Sequence, residues 1–373
     1  FRVKTEASQL QVYTKMETTS SDYDYSTDPS EPVSPCSSDG ENNLGAHLSI
    51  LYYFMFVFSL FGNGLVLVII HRFERLATVT NILLVNLVLS SLIFMSSLPF
   101  VGIYMQLSNW IFGSVMCKIV GSAYFMGFYS SVFFLTLLTF DRHLAVVYSL
   151  PAAQLRNQRY AVISCAVVWL VSGLACIRPM LLRNTFTYID NKTYCEEYPG
   201  DLDYIDVKKL RISGFYIQLL IFLILPLAVI IYCYVRITIT VISSKIATKF
   251  KTVRLIFVIV LLFFICWTPF NIVELLQDEF TSCEALQKHG YIHQITRNMA
   301  YFYFCISPIF YTFVGRKFQN YFRQLLINNF PFLKKYISVN EISRTNISTK
   351  MTSNEPTERR QNTSLLRNQL DYV

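Results

Sequence analysis

The chain has 373 residues, of which 53% are hydrophobic and 15% are charged. A soluble domain carries about 25% charged residues, so this composition excludes an ordinary soluble fold and predicts a multi-pass membrane protein. The formal net charge of +8 lies mainly in short loops and the tail, where it indicates membrane orientation and not nucleic-acid binding.

The N-terminal segment, 1–45, is polar and shows no cleavable signal peptide, so the first apolar span is expected to act as a signal anchor. Met16 opens an acidic stretch, and we interpret residues 1–15 as sequence upstream of the native start. The composition predicts that this segment is disordered. Tyr23 and Tyr25 alternate with aspartates, which favours tyrosine sulfation; a merely solvated tail is the alternative.

Seven apolar segments follow, each long enough to cross a bilayer as a helix. They lie at roughly 47–70, 79–103, 114–147, 159–180, 210–237, 250–277 and 290–314, within a bundle predicted for 46–315. Pro99, Pro226 and Pro269 predict bends, because proline removes a backbone hydrogen bond from a helix. An amphipathic helix is predicted at 316–328, and a disordered cytoplasmic tail at 329–373.

Basic residues mark one side of the predicted bundle. The loop between the fifth and sixth spans holds Lys and Arg without an acid: Arg236, Lys245, Lys249, Lys251 and Arg254. The loops on the other side hold most of the acids. By the positive-inside rule, the N-terminus is extracellular and the tail is cytoplasmic.

The cysteines are scattered without a CxxC pair, so no metal site is predicted. Cys36, Cys117, Cys195 and Cys283 fall on the predicted extracellular side, where disulfides persist, and four cysteines allow three pairings. The sequon at Asn191 lies on the same side and is a predicted glycosylation site.

The third span ends in a stretch, 133–147, that carries Asp141 and Arg142 where hydrocarbon gives way to water. Ionisable groups at a membrane boundary indicate function by default. The alternative is that the acid and the base simply mark a helix end.

Each span carries one characteristic residue or pair, in chain order: Asn63, Pro99, Arg142, Trp169, Pro226, Trp267 with Pro269, and Pro308 with Tyr311. With these markers, the sequence over roughly 46–330 resembles a rhodopsin-like (class A) G protein-coupled receptor. Four stretches resemble the chemokine receptors: 141–147, 251–257, 267–271 and 313–318. Within that subfamily, 83–92, 129–136, 282–285 and Arg297 with Asn298 resemble the XC-type (lymphotactin) receptors most closely, with a CC-type receptor as the alternative.

The resemblance implies an all-α bundle of seven transmembrane helices with a short amphipathic eighth helix. It implies the disulfides Cys117–Cys195 and Cys36–Cys283. It also implies no enzymatic activity, no cofactor, and a place in the plasma membrane. The expected function is binding of a small basic chemokine, lymphotactin-like or CC-type, and activation of an inhibitory-type heterotrimeric G protein. Leukocyte chemotaxis and calcium mobilisation would follow, and receptor kinases and arrestin would act on the tail.

The resemblance also assigns ligand-binding residues. Tyr23 and Tyr25 belong to an anionic arm that would meet the basic chemokine first. The pocket wall is expected to include Tyr52, Tyr124, Glu274 and Arg297. Chemokine receptors commonly have a glutamate where Arg297 stands, so we expect Glu274 to take the ligand's α-amine and Arg297 a ligand carboxylate or carbonyl.

The activation and coupling residues are expected to be Asp141, Arg142, Tyr234, Trp267, Pro269, Pro308 and Tyr311. Arg142 would pair with Asp141 at rest, and Tyr234 and Tyr311 would approach Arg142 in the active form. Trp267 would respond to ligand from below, while Pro226 and Pro269 would supply hinges.

Besides Arg297, three positions depart from the family pattern. Ser91 replaces an aspartate and Ser307 an asparagine that commonly hold sodium, so weak or absent sodium sensitivity is predicted. His143 replaces a tyrosine, which leaves a scavenger without G-protein signalling as an alternative to an ordinary signaller. A receptor for another peptide also remains open, whereas a transporter is disfavoured because no paired repeat is apparent.

Overall fold

The computed structural model describes residues 44–74, 78–148, 156–187, 192–197, 207–244, 250–276, 283–314 and 316–332. Its helices are α1 (Leu44–Phe73), α2 (Val79–Met95), α3 (Leu98–Leu107), α4 (Gly113–Val147), α5 (Gln158–Leu182), α6 (Val207–Leu219), α7 (Leu225–Ser244), α8 (Phe250–Leu275), α9 (Cys283–Val314) and α10 (Arg316–Asn329). Its strands are β1 (Arg183–Thr187) and β2 (Thr193–Glu197), and a π-helical turn, Leu220–Ile224, joins α6 to α7.

The helices pack as a bundle. Helix α2 packs on α4, α4 on α5 and α7, and α8 on α9, while α9 returns to α1 and closes the ring. Six continuous segments of the described chain are long and apolar enough to cross a membrane. The seventh long helix, α9, is more polar because it carries Arg297, His289 and His293.

The second span is broken between α2 and α3, just before Pro99. The Ser97 hydroxyl donates to the Phe94 carbonyl oxygen at 2.7 Å, and the Ser96 hydroxyl donates to that of Ile93 at 2.7 Å. Because Pro99 has no N–H to give to the preceding turn, these side chains stabilise the backbone at the break.

The fifth span contains a different irregularity. Its π-helical turn, Leu220–Ile224, directly precedes Pro226, which lacks the N–H that would bond Phe222 in a regular α-helix. Such turns inside α-helices frequently mark functional sites. The predicted bend in this span is therefore realised as a widened helical turn.

At one end of the bundle the chain forms an antiparallel hairpin where the sequence indicated only a polar loop. Strands β1 and β2 pair with Thr185 opposite Cys195. Helix α9 also begins at Cys283, before the predicted start near residue 290. Both differences arise because tertiary contacts order polar segments that carry little apolar periodicity.

The core is aromatic and closely packed, and five buried free cysteines contribute to it: Cys165, Cys176, Cys233, Cys266 and Cys305. Helices α2 and α4 approach closely at Gly127, where a Cβ would lie 2.6 Å from the Phe94 nitrogen. Large apolar side chains such as Phe61 and Ile242 are exposed, as expected for a surface that faces lipid.

Candidate functional site

Polar side chains gather at two opposite ends of the bundle. We call the end with the β1–β2 hairpin and the Cys117–Cys195 bond the disulfide end. The other end, which holds Asp141 and Arg142 near the end of α4, is called the Asp141 end. An apolar and largely aromatic layer lies between them.

The disulfide end is fixed by a covalent bond and by backbone contacts. Cys117 on α4 is bonded to Cys195 on β2, with a Cα–Cα distance of 5.6 Å. The Trp110 amide donates to the Thr193 carbonyl oxygen at 2.8 Å, and the Thr193 amide donates to the Asn109 side chain at 2.8 Å. The hairpin is therefore held against the start of α4. The predicted Cys117–Cys195 pairing is confirmed.

A hydrogen-bonded cluster joins α1 to α9 just below the hairpin. The hydroxyl of Tyr52, a fully buried residue, donates to the Asn298 Oδ1 at 2.9 Å and accepts a bond from the Gln294 side-chain amide. Gln294 also donates to Asn298 at 3.0 Å and accepts a bond from Arg297. The cluster fixes the guanidinium of Arg297 beside the aromatic layer.

Two arginines of this end form no ion pair with an acid among the residues that the structure describes, although the charge of Glu196 acts on Arg297 from a longer distance. The Nε atoms of Arg297 and Arg183 are both buried without a hydrogen-bond partner in that part of the chain. Both guanidinium groups lie within electrostatic reach of the Tyr124 and Tyr301 hydroxyls. Arg183 lies over Gly121, where a Cβ would lie 2.2 Å from its Cδ. The site therefore holds two guanidinium groups without a close counter-ion, and the charges of Glu196 and Glu274 act in the same region.

Glu274 is arranged differently from these arginines. One of its carboxylate oxygens lies 2.7 Å from the Nε2 atom of His293, and its side chain is 31% exposed. His293 is buried beside Phe270, at 5.2 Å between ring centroids. Glu274 is thus an accessible acid that is already shared with a neighbouring imidazole.

Trp267 lies at the centre of the aromatic layer and is fully buried. Its ring stacks on Phe128 at 4.0 Å between centroids, with Tyr124 at 6.3 Å on the side of the disulfide end and Phe263 at 5.8 Å. Its backbone carbonyl accepts a bond from the Asn271 side chain at 2.9 Å, next to Pro269. A displacement near Tyr124 would therefore act on α8 at its internal proline.

Below Trp267 lies a set of buried neutral polar groups. The Ser91 hydroxyl donates to the Leu87 carbonyl oxygen at 3.0 Å. Other polar atoms in this region are buried without a partner in the described ranges: Asn63 Oδ1, Ser131 Oγ and Ser307 Oγ. Buried polar atoms of this kind are usually satisfied by ordered water. The set contains no carboxylate, so it does not fit a cation that needs a negative ligand.

At the opposite end, the carboxylate of Asp141 is fully buried among three donors. Arg156, directly before the start of α5, reaches both oxygens through Nε at 2.7 Å and Nη2 at 3.1 Å. The Thr80 hydroxyl donates to Asp141 at 2.9 Å and accepts a bond from Arg142. Arg142 itself lies 3.4 Å from the carboxylate. The expected Arg142–Asp141 contact is present, but Arg156 makes the shorter one.

The remaining predicted coupling residues flank this network. The Tyr234 side chain lies within electrostatic reach of Arg142 and next to Thr139, and it packs on Phe257 at 5.1 Å between centroids. Pro308 is buried within α9. The described residues include the backbone of Tyr311 but not its side chain.

Several predicted residues lie outside the described residues: Tyr23, Tyr25, Cys36, Asn191 and the side chain of Cys283. The predicted Cys36–Cys283 bond, the sulfation sites and the glycosylation site therefore remain predictions. In the part of the chain that the structure covers, no group of three or more His, Cys, Asp or Glu residues is arranged to hold a metal ion.

Sequence reasoning missed Arg156, Arg183, Thr80 and Gln294 as members of these sites. Arg156 was assigned no role from the sequence, although it lies only 15 positions from its acidic partner. An unmatched basic residue next to the N-cap of a span, such as Arg156 before Asn157, is the signal that was available.

Comparisons with known proteins agree with this architecture. A family model described as 7 transmembrane receptor (rhodopsin family) matches residues 62–311. C-C chemokine receptor type 1 of Homo sapiens is 35% identical over 334 residues, which cover 84% of this chain and 92% of that receptor. For C-C chemokine receptor type 3 of Cavia porcellus the identity is 33% over 325 residues, with coverages of 84% and 87%. For C-C chemokine receptor type 4 of Homo sapiens it is 36% over 301 residues, with coverages of 78% and 81%.

These relatives confirm the predicted fold class and the predicted subfamily. They are CC-type receptors, so the resemblance to the XC type remains a prediction. The family is not enzymatic, and its members are multi-pass membrane proteins. The chain therefore belongs to the chemokine receptors, within the rhodopsin family of seven-transmembrane receptors.

Proposed function

We propose that this receptor binds a small basic chemokine at the disulfide end and activates an inhibitory-type heterotrimeric G protein at the Asp141 end. The N-terminus and the disulfide end face the outside of the cell, and the Asp141 end faces the cytoplasm. Calcium mobilisation and leukocyte chemotaxis follow from this coupling. The ligand class is lymphotactin-like, with a CC-type chemokine as the alternative.

The observation that carries this proposal is the aromatic contact through Trp267. Its neighbours include Tyr124 towards the proposed pocket, and Phe128 and Phe263 within the core. Closely packed aromatic groups of this kind have few alternative arrangements, so a ligand that moves Tyr124 favours a different packing of α8. Because α8 continues to the Asp141 end, its movement would change the helix packing there.

The proposed pocket has a positive side and an accessible acid. Arg297 and Arg183 favour an acidic group or a carbonyl near the ligand's N-terminus, because the Nε atom of each is buried without a hydrogen-bond partner in the described residues. Glu274 takes the ligand's α-amine while its carboxylate also stays in contact with the His293 imidazole. The acidic arm around Tyr23 and Tyr25 makes the first contact with a basic chemokine and raises its rate of encounter.

We further propose that sodium has little effect on the receptor. The groups near Ser91 and Ser307 are neutral, and they suit water better than a cation. Replacing potassium by sodium in a radioligand assay should change agonist affinity by less than roughly threefold, a difference below 1 kcal/mol. A steep loss of affinity in sodium would contradict this proposal.

The test of the whole proposal is a panel of chemokines applied to transfected cells, with inhibition of cAMP synthesis and arrestin recruitment measured in parallel. A cAMP response supports the signalling function. Uptake of ligand without that response would instead favour a scavenging receptor. That alternative is considered because His143 stands where the family has a tyrosine. His143 is buried against Tyr232, at 5.7 Å between ring centroids.

A further inference from the structure

The carboxylate of Asp141 is shared by two arginines that belong to different elements. Arg156 precedes α5, and its guanidinium meets both carboxylate oxygens, at 2.7 Å and 3.1 Å. Arg142 lies on α4 and approaches one oxygen at 3.4 Å. A two-point arginine–carboxylate contact is among the strongest charge-assisted interactions in proteins. The acid is therefore neutralised mainly by Arg156.

Thr80 connects the same groups through a hydroxyl. It donates to the oxygen of Asp141 that Arg142 approaches, and it accepts a bond from Arg142. Part of the link between Arg142 and Asp141 therefore runs through Thr80 on α2. A carboxylate has about four acceptor positions, and here Arg156 and Thr80 together take three of them.

We infer that Arg156 is a positioning residue that sets how tightly Asp141 holds Arg142. By occupying both carboxylate oxygens, Arg156 weakens the Arg142–Asp141 contact in the closed bundle. When Arg142 leaves, Arg156 remains paired with the buried carboxylate, which avoids the cost of an unpaired buried charge. Both effects make the release of Arg142 easier. This inference rests on the proposed function, in which activation frees Arg142.

The direction of the effect separates this role from that of a simple restraint. Without Arg156, Asp141 keeps Arg142 as its guanidinium partner within the described network, and Arg142 can move into the vacated positions. The closed bundle then gains stability relative to the open one. Removal of Arg156 should therefore reduce activity, whereas removal of a restraint would increase it.

The first measurement is nucleotide exchange on the G protein in membranes that hold the full-length receptor. We expect Arg156→Gln to lower basal and agonist-stimulated exchange roughly tenfold, within the range seen for coupled charged residues in contact. Arg156→Lys, which keeps the charge but loses the two-point contact, should fall between Arg156→Gln and the unchanged receptor. The matched control is Arg159→Gln, since Arg159 is exposed near the start of the same helix.

A double-mutant cycle tests whether Arg156 acts through Asp141. In an Asp141→Asn background, Arg156→Gln should have little further effect on exchange, because the shared carboxylate is gone. An equal effect in both backgrounds would overturn the inference, and so would an increase in activity in Arg156→Gln alone. A general loss of folding would lower exchange in the lysine variant as strongly as in the glutamine variant.

A second measurement does not depend on a G protein. Spin labels at Arg72→Cys on α1 and Lys251→Cys on α8 report the separation of these helix ends in the purified receptor. Arg156→Gln should increase the share of receptors with a short label-to-label distance, which represents the closed bundle. An increase in the share with a long distance would overturn the inference. If the unchanged receptor catalyses no exchange with any chemokine, the proposed signalling function fails, while the distances still decide the role of Arg156.

Discussion

Arg142 and Arg297 lie at opposite ends of the same bundle and have different partners. Arg142 shares a buried carboxylate with Arg156, and it donates a hydrogen bond to the Thr80 hydroxyl. Arg297 bonds an amide oxygen and lies among tyrosines, without an ion pair to any acid of the described chain. One arginine is thus paired with a carboxylate in direct contact, whereas the other is influenced by the charge of Glu196 without such a contact.

The two ends also differ in how they are held together. The disulfide end depends on a covalent bond between Cys117 and Cys195 and on a two-stranded hairpin. The Asp141 end depends on side-chain hydrogen bonds, which can exchange partners without breaking a covalent bond. A rigid receiving end and an exchangeable coupling end are what a two-state receptor requires.

The largest expected effect comes from breaking the balance at the Asp141 end. Asp141→Ala leaves Arg142 and Arg156 close together without their counter-charge, and removal of one partner from a buried pair costs about 3–5 kcal/mol of stability. The thermal unfolding midpoint of the purified receptor measures this loss. Glu274→Ala is the matched control, because its carboxylate is 31% exposed and should cost less than about 1 kcal/mol. Equal losses would contradict the contrast between the ends.

Breaking the disulfide end should have the next largest effect. The bond closes a loop with a sequence separation of 78, and its removal by Cys117→Ala should cost about 2–5 kcal/mol. Ligand binding should fall with it, because the hairpin loses its anchor on α4. Cys195→Ala and the double variant should match the single variant in unfolding midpoint and in radioligand binding. Additive losses would show that each cysteine contributes separately.

Substitutions of Arg297 test whether its guanidinium, which has no ion-pair partner in the described chain, binds a ligand. Arg297→Met should change the unfolding midpoint of the free receptor little, because no carboxylate of the described chain lies in ion-pair contact with Arg297 and the charge of Glu196 acts only from a longer distance. Agonist potency should fall roughly 30- to 100-fold, as expected when a charged contact in an interface is lost. Arg297→Glu should reduce potency at least as strongly. Unchanged lymphotactin potency in the glutamate variant would refute the assignment of Arg297.

The smallest expected effect belongs to the cluster that holds Arg297. Tyr52→Phe removes a hydroxyl that connects Gln294 and Asn298, and a hydrogen bond of this kind contributes about 1 kcal/mol. Potency should fall about fivefold because the guanidinium of Arg297 is less well fixed. Tyr53→Phe is the control, since its hydroxyl bonds Gln106 on an exposed surface. A larger effect in the control would place the ligand on the other side of α1.

Much of the architecture is predictable because it depends on long local patterns. Apolar segments of membrane length predicted the helical bundle, and the order of markers from Asn63 to Pro308 indicated the family. The Cys117–Cys195 pairing followed from that resemblance. The hairpin and the early start of α9 were not predicted, because tertiary contacts impose them on segments with weak periodicity. Pro226 indicated an irregularity in the fifth span but not its form, a π-helical turn.

The partners of the site residues were harder to predict than the residues themselves. Asp141 and Glu274 stand out in the sequence, but Arg156 and His293 do not. Arg156 reaches Asp141 across the connection between α4 and α5, and His293 on α9 reaches Glu274 on the neighbouring helix α8. Such contacts depend on how helices are placed side by side, which charge and hydropathy along a single chain do not specify.

The tryptophans of this receptor provide a further practical consequence. There are only three, and they occupy different layers: Trp110 beside the hairpin, Trp169 bonded to Asn86, and Trp267 stacked on Phe128. Replacing Trp110 and Trp169 by phenylalanine would leave Trp267 as the sole indole. Its ultraviolet emission, shielded from solvent, would then follow rearrangement of the interior in real time without any attached dye.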